Sequence, residues 1–168
     1  PTPSRKHFLR RSLPRPHSPS VPARARQLRG SHVGEFSASG VWVTPVLLAF
    51  LDDHSRLCCH AQWYLAETAE TFVHGLCQAI QKRGLPRAIL TDNGGPMTAA
   101  ETAEGLVRLG ISQATTLPFA PYQNGKQEIV WAQVEGRLLA MLEGVAHALR
   151  LDLLNEATQA WIELEYHR

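Results

Sequence analysis

The chain has 168 residues, which fits one domain with some excess, and a hydrophobic content of 44% is enough to form a core. No apolar run approaches the roughly 20 residues that a membrane span requires, and no apolar segment with a small-residue cleavage site opens the sequence. We therefore expect neither a membrane span nor a signal peptide. The three cysteines lack zinc-ligand spacing, which indicates reduced thiols in a cytosolic protein.

The net charge of +2 hides a division between two segments. Residues 1–34 contain eight Lys or Arg, six of the eleven prolines and no acidic residue, whereas residues 35–168 contain nine basic and fifteen acidic residues. The first segment has no apolar periodicity, so we predict that it is disordered. Two interpretations of it stay open: a basic tail that binds nucleic-acid phosphates, and non-native sequence without a role, which we favour.

Residues 41–65 have the pattern of a β-hairpin. The apolar, β-branched run Val41–Leu51 predicts a buried strand, and Leu57–Leu65 predicts a second strand after the polar turn Asp52–Arg56. Thr68 is placed to cap the helix that follows, which Gly84 ends. One face of that helix is apolar.

The second half of the chain alternates short strands with helices. A strand over Ala88–Thr91 leads into an Asp-Asn-Gly turn, and Thr98 with Glu101 predicts the capping box of a helix. After a strand over Ile111–Leu117, two helices are predicted, and the apolar stripe of the first comprises Val130, Val134, Leu138, Met141 and Val145. This order predicts an α/β domain with a mixed sheet flanked by helices.

Two acidic residues lie at the ends of predicted elements. Asp92 follows a strand at a Gly-rich turn, and Glu128 lies at the start of a long helix, with thirty-five residues between the two. Carboxylates from different elements can converge on hard divalent ions, which prefer oxygen ligands. Taken alone, Asp92 fits a turn that bonds its own backbone, and Glu128 fits a residue that complements the helix dipole.

Taken together, these motifs resemble the integrase core of retroviruses and, most closely, of bacterial insertion-sequence transposases. Thr91–Gly94 and Asn124–Glu128 match the segments around the second and third acids of that family. Leu51–Arg56 looks like its second-strand segment, Gly84–Pro86 precedes the second acid as in the family, and Trp161–Arg168 looks like the helix after the core. The resemblance covers residues 41–168.

The resemblance implies a ribonuclease H-like fold and DNA integration or transposition by metal-dependent polynucleotidyl transfer. Asp92 and Glu128 would be catalytic residues and ligands of Mg²⁺ or Mn²⁺, with two ions in an intact site. The implied partners are DNA and further copies of the chain, in the bacterial cytoplasm and at the nucleoid. By this comparison, residues 35–168 form an integrase core-like domain that is truncated at its C-terminus.

One departure concerns the first acid of the family, an Asp on the first strand. No Asp precedes Asp52, and the position some twenty residues before Ser55 is occupied by Glu35, which we take as a stand-in. Lys126 and Arg137 remain as contacts for DNA phosphates. Loss of the first acid leaves two hypotheses, an active transferase and a catalytically inactive transposase remnant that at most binds DNA or oligomerises.

Overall fold

The computed structural model describes residues 20–27, 44–91, 95–115, 125–144 and 150–168, with the backbone alone in residues 20–27. The described strands form one five-stranded mixed sheet, in the order β3-β2-β1-β4-β5. The pairs β1–β2 and β2–β3 are antiparallel, and the pairs β1–β4 and β4–β5 are parallel. The strands are β1 Ser20–Gln27, β2 Val46–Leu51, β3 Cys58–Tyr64, β4 Ala88–Thr91 and β5 Ser112–Thr115.

Helices pack against both faces of this sheet. They are α1 Ala69–Arg83, α2 Gly95–Thr98, α3 Ala100–Arg108, α4 Gly125–Gln133, α5 Ala140–Leu142 and α6 Leu151–Trp161. Two π-helical segments interrupt the regular helices: Val134–Leu139 joins α4 to α5, and Ile162–Tyr166 extends α6. Within the described part of the chain, no helix is both long and apolar enough to traverse a bilayer. The predicted α/β class with a mixed sheet is confirmed.

Two helix starts were predicted, and one of them is confirmed. The Thr68 side chain accepts a hydrogen bond from the Thr71 backbone N–H at 3.2 Å, and Thr71 bonds back to Thr68, so a capping box starts α1. The box predicted at Thr98 is wrong. The Thr98 hydroxyl donates instead to the Gly95 carbonyl within α2, and α3 begins after Ala99 without a side-chain cap.

The core consists of two hydrophobic clusters, one on each face of the sheet. Strand β2 contributes to both, since all six of its residues are buried and successive side chains point to opposite faces. Leu47 and Ala49 pack with residues of α4 and α6, whereas Leu48 and Phe50 pack with α1. Burial on both faces explains why β2 has a continuous apolar sequence instead of an alternating one.

The predicted hairpin is confirmed, since strands β2 and β3 pair antiparallel from Val46 and Tyr64 onward. Strand β1 lies on the other side of β2, between β2 and β4. The prediction that residues 1–34 are disordered is therefore wrong for Ser20–Gln27, while residues 1–19 and 28–34 lie outside the described part of the chain.

The physical reason lies in backbone pairing, which a composition-based prediction does not take into account. Strand β1 pairs with β2 from Ala23 to Gln27 and with β4 from Ser20 to Ala23. Hydrogen bonds on both sides offset the ordering cost of a segment with little apolar surface of its own. Pro22 is tolerated where the antiparallel pairing has not yet begun.

The apolar stripe of the long helix was predicted only in part. Val130, Val134 and Leu138 are buried as expected, but Met141 is 70% exposed, and Val145 lies outside the described residues. The π-helical segment Val134–Leu139 adds residues to the turn and so shifts the buried face along the sequence. Leu139 and Leu142 consequently take the inward positions.

Candidate active site

The end of β4 is a buried point of the sheet. Ile89 is fully buried and Thr91, the last residue of the strand, is 1% exposed. The Gln113 side-chain amide donates to the Met97 carbonyl at 2.6 Å and to the Thr91 hydroxyl at 3.4 Å. This one side chain therefore joins the strand that precedes Asp92 to the helix that follows it. Asp92 itself lies outside the described residues.

Met97 packs beside the end of β4. Its side chain is completely buried in the cluster that contains Ile89 and Leu106. A flexible thioether fills an irregular gap between strand and helix well. Met97 therefore helps to fix the helix that follows Asp92 against the sheet.

Glu128 lies in the first turn of α4, and its side chain is exposed. Val130 and Trp131 begin the buried face of this helix two residues later and pack into the cluster with Leu47 and Trp161. The packing fixes α4 against the sheet and leaves Glu128 accessible to a ligand from solvent. Its position fits a metal-binding carboxylate as well as a residue that complements the helix dipole.

The remaining site residues predicted from the sequence are only partly covered by the structure. Arg137 lies in the π-helical segment after α4, where it is exposed and pairs with no acid in the described part of the chain. Glu35 and the side chain of Lys126 lie outside the described residues. Within the described ranges, no three His, Cys, Asp or Glu side chains group as a metal site would require. The grouping of Asp92 with Glu128 stays a prediction.

The central strand β1 bears on where a first acid could stand in this chain. Strand β1 runs parallel to β4, and Ala23 is paired with Thr91, the residue before Asp92. The next residue of β1 is Arg24, and the sequence of the whole strand, SVPARARQ, contains no acidic residue. The resemblance places the first acid on the first strand of the family. No carboxylate can therefore come from β1, and Glu35 remains the only stand-in that we identified.

The turn between β2 and β3 was interpreted from the sequence as structural, and its contacts agree with that interpretation. The Asp52 carboxylate accepts hydrogen bonds from the Ser55 backbone N–H at 2.9 Å and from the Ser55 hydroxyl. Burial raises the pKa of Asp52, but these hydrogen bonds outweigh it and hold the pKa below its ordinary value. Asp52 thus fixes the turn.

A family model described as the integrase core domain matches residues 32–121 of the chain, which is more than half of its length. The chain belongs to the integrase core domain family. The matched range contains Glu35, the hairpin and Asp92, whereas β1 lies before it and Glu128 after it. The family match thus includes the segment around Asp92. The assignment of Glu128 rests on its motif and on its position in α4.

Solved structures of retroviral integrases have the same fold. The integrase of a simian T-cell lymphotropic virus intasome, in complex with the PP2A regulatory subunit B56 gamma, superposes with a TM-score of 0.71 at 20% identity. That alignment covers 88% of this chain and 49% of the other, so our chain spans about half the length of that integrase.

Two isolated core domains match over most of both chains. The HTLV-2 integrase catalytic core, solved with magnesium in a trimeric form, gives a TM-score of 0.67 at 19% identity over 88% of this chain and 87% of that one. The BIV integrase catalytic core gives 0.63 at 20% identity, over 87% and 85% of the chains. The predicted ribonuclease H-like fold of the integrase cores is confirmed.

Proposed function

We propose that this chain is the catalytic core of a DDE-type transposase or integrase, closest in its motifs to bacterial insertion-sequence transposases. It would act on DNA by polynucleotidyl transfer. Family membership and the retroviral-type fold support this proposal. The observation that carries it is the setting of the two acids: in the sequence Asp92 directly follows strand β4, whose last residue is buried, and Glu128 is exposed in the first turn of a helix anchored in the core.

The proposed reaction is attack of a DNA 3′-hydroxyl or a water molecule on a phosphodiester. A new oxygen–phosphorus bond forms, the bond to the leaving oxygen breaks, and that oxygen takes up a proton. Asp92, Glu128 and Glu35 are the residues proposed to hold Mg²⁺ or Mn²⁺. When bound, a pair of such ions activates the attacking oxygen and stabilises the leaving one. Carboxylates suit this role because they are the oxygen ligands that hard divalent ions prefer.

A second proposal is that the chain is a catalytically inactive remnant that binds DNA or oligomerises. The absence of any acidic residue from β1 favours it, because the family has its first acid on the first strand. With two acids instead of three, metal affinity would be low and strand transfer slow or absent. The two proposals share the fold and the family, and they differ in whether any phosphodiester is cut.

Nicking of a supercoiled plasmid in Mn²⁺ distinguishes the two proposals. For an active enzyme we expect slow nicking by the natural chain, faster nicking by Glu35→Asp, and loss in Asp92→Asn and Glu128→Gln. Glu156→Gln is the matched control, since Glu156 is an exposed residue of α6 that has no role in the proposed site. Nicking that persists in Asp92→Asn would reject the assigned site, and no nicking by either the natural chain or Glu35→Asp would favour the remnant.

A further inference from the structure

A groove of about 470 Å³ lies between the β2–β3 turn, the second half of α4 and the end of the described chain. Arg56, Gln133 and Arg168 bring polar groups to its lining, and Ile129 and Tyr166 supply apolar and aromatic surface. None of the described lining residues is acidic. This is notable because residues 35–168 carry more acidic than basic residues in total.

The backbone of Arg56 is held in a conformation that residues other than glycine rarely adopt. Its φ is 67°, which makes it the one such residue among those described. The Arg56 N–H donates to the Asp52 carbonyl at 2.9 Å, and the Tyr166 hydroxyl donates to the Arg56 carbonyl at 2.8 Å. Strain of this kind persists when the surroundings impose it, and it concentrates at functional sites. The turn and Tyr166 thus fix the start of the Arg56 side chain at the groove.

Both arginines of the groove lack a carboxylate partner in the part of the chain that the structure describes. The nearby acid Glu163 is already paired, with Arg83 and with His167, each at 3.3 Å. The His167 ring is also in use, because its Nε2 accepts the Cys58 N–H at 3.2 Å. Two arginines in a groove that no described acidic side chain lines give it an excess of positive side chains on an acidic domain, and guanidinium binds phosphate through paired hydrogen bonds.

The groove borders the helix that carries Glu128, because Ile129 is the next residue and Gln133 lies about one turn further. Successive residues of an α-helix are about 100° apart, so the groove lies on the face of α4 next to Glu128. The groove thus sets arginine residues beside the helix that carries a proposed catalytic acid.

We propose that this groove binds the phosphodiester backbone of DNA, with Arg56 and Arg168 on phosphate oxygens and the Gln133 amide as a further donor. The inference rests on the proposed function, and it assigns the DNA path to the face of α4 that carries Ile129 and Gln133. Double-stranded DNA is the occupant that fits best, since it presents a continuous row of phosphates to a basic groove next to a proposed catalytic acid.

The test is the salt dependence of binding of the full chain to a fluorescent DNA duplex. Each lost phosphate contact should make the slope of log K against log salt concentration shallower by about 0.9. We expect this change in Arg56→Gly and in Arg168→Gln, and about twice the change in the double variant. Arg56→Gly suits the purpose because glycine adopts a positive φ without strain, so the melting temperature should not fall. Arg56→Lys keeps the charge and should restore part of the slope.

The matched control is Arg108→Gln, which removes one positive charge from α3 on the opposite face of the sheet. It should leave the slope unchanged. Three results would each overturn the groove assignment. They are an equal decrease of the salt slope in Arg108→Gln and Arg56→Gly, an unchanged slope in the double variant, and no detectable DNA binding by the natural chain. The nicking assay separates this proposal from the proposed function. DNA binding that depends on Arg56, without metal-dependent nicking, supports the groove and rejects the enzyme. Metal-dependent nicking that is lost in Glu128→Gln but does not depend on Arg56 supports the enzyme and rejects the groove.

Discussion

The Asn155 side-chain amide pairs with the backbone of Trp63 as a neighbouring strand would. Its Oδ1 accepts the Trp63 N–H at 2.7 Å, and its Nδ2 donates to the Trp63 carbonyl at 3.2 Å. Strand β3 is at the edge of the sheet, and the Gln159 amide and the His167 ring satisfy two further backbone groups of the same strand. Helix α6 and its extension thus cover an edge that would otherwise pair with another chain.

Asn155→Leu should destabilise the domain, because it leaves two backbone groups of Trp63 without partners. Loss of a buried hydrogen-bond partner costs about 1–3 kcal/mol, which urea unfolding resolves. Glu156→Gln, an exposed change at the next position, should cost almost nothing. An Asn155→Leu variant as stable as the natural chain would show that water replaces the amide. Sedimentation should also detect more self-association in Asn155→Leu, since the edge of β3 is uncovered.

His60 should make the stability of the fold depend on pH. Burial, together with Lys82, whose Nζ lies 3.3 Å from His60 Nδ1, lowers the pKa of His60 to about 4. The unfolded chain has an ordinary histidine pKa of about 6.5 and so binds a proton that the folded chain does not. The free energy of unfolding should therefore fall as pH decreases from about 6.5 to about 4 and stop falling below that.

Chemical denaturation at a series of pH values measures this dependence. His60→Gln should reduce the slope of stability against pH between about 4 and 6.5, while Val107→Ala should keep it. Val107 is a fair control because its side chain is exposed on α3 and carries no titratable group. The carboxylates of the chain titrate in part of the same range, so the result is the difference between the variants. An unchanged slope in His60→Gln contradicts the assignment.

Removal of β1 should unfold the domain, because β1 lies between β2 and β4. Deleting residues 1–27 takes the central strand away, whereas deleting residues 1–19 keeps it whole. We expect a fall of many degrees in melting temperature for the first deletion and little change for the second, by circular dichroism. Equal melting temperatures for the natural chain and the longer deletion would show that Ser20–Gln27 does not hold the sheet together.

Much of the fold could be predicted from the sequence, because hydrophobic patterning determines it. The pairing of β2 with β3 and the N-cap at Thr68 follow from local residues, and both are present. Strand β1 could not be predicted, since its stability comes from distant backbone partners and its composition resembles a disordered tail. Met141 is exposed because a π-helical segment precedes it, and no residue pattern predicted that segment.

The acidic residues of the candidate site could be proposed from the sequence, but the groove beside them could not. The spacing from Asp92 to Glu128 is visible in the sequence, and the exposure of Glu128 fits the role assigned to it. The groove beside α4 was not predicted, because Arg56, Gln133 and Arg168 are distant in sequence and only the fold brings them together. The one sequence feature that pointed to this region was the Asp52–Arg56 turn. Its internal hydrogen bond and the bond from Tyr166 hold the Arg56 backbone in place.

Metal binding tests the central claim, that Asp92 and Glu128 share a divalent ion, most directly. A ligand that binds only the folded state raises the melting temperature by mass action, so Mn²⁺ should stabilise the natural chain. The increase should grow with Mn²⁺ concentration, should be lost in both Asp92→Asn and Glu128→Gln, and should persist in Glu156→Gln. A melting temperature that does not respond to Mn²⁺ in the natural chain, or an equal response in all four proteins, would contradict a shared metal site.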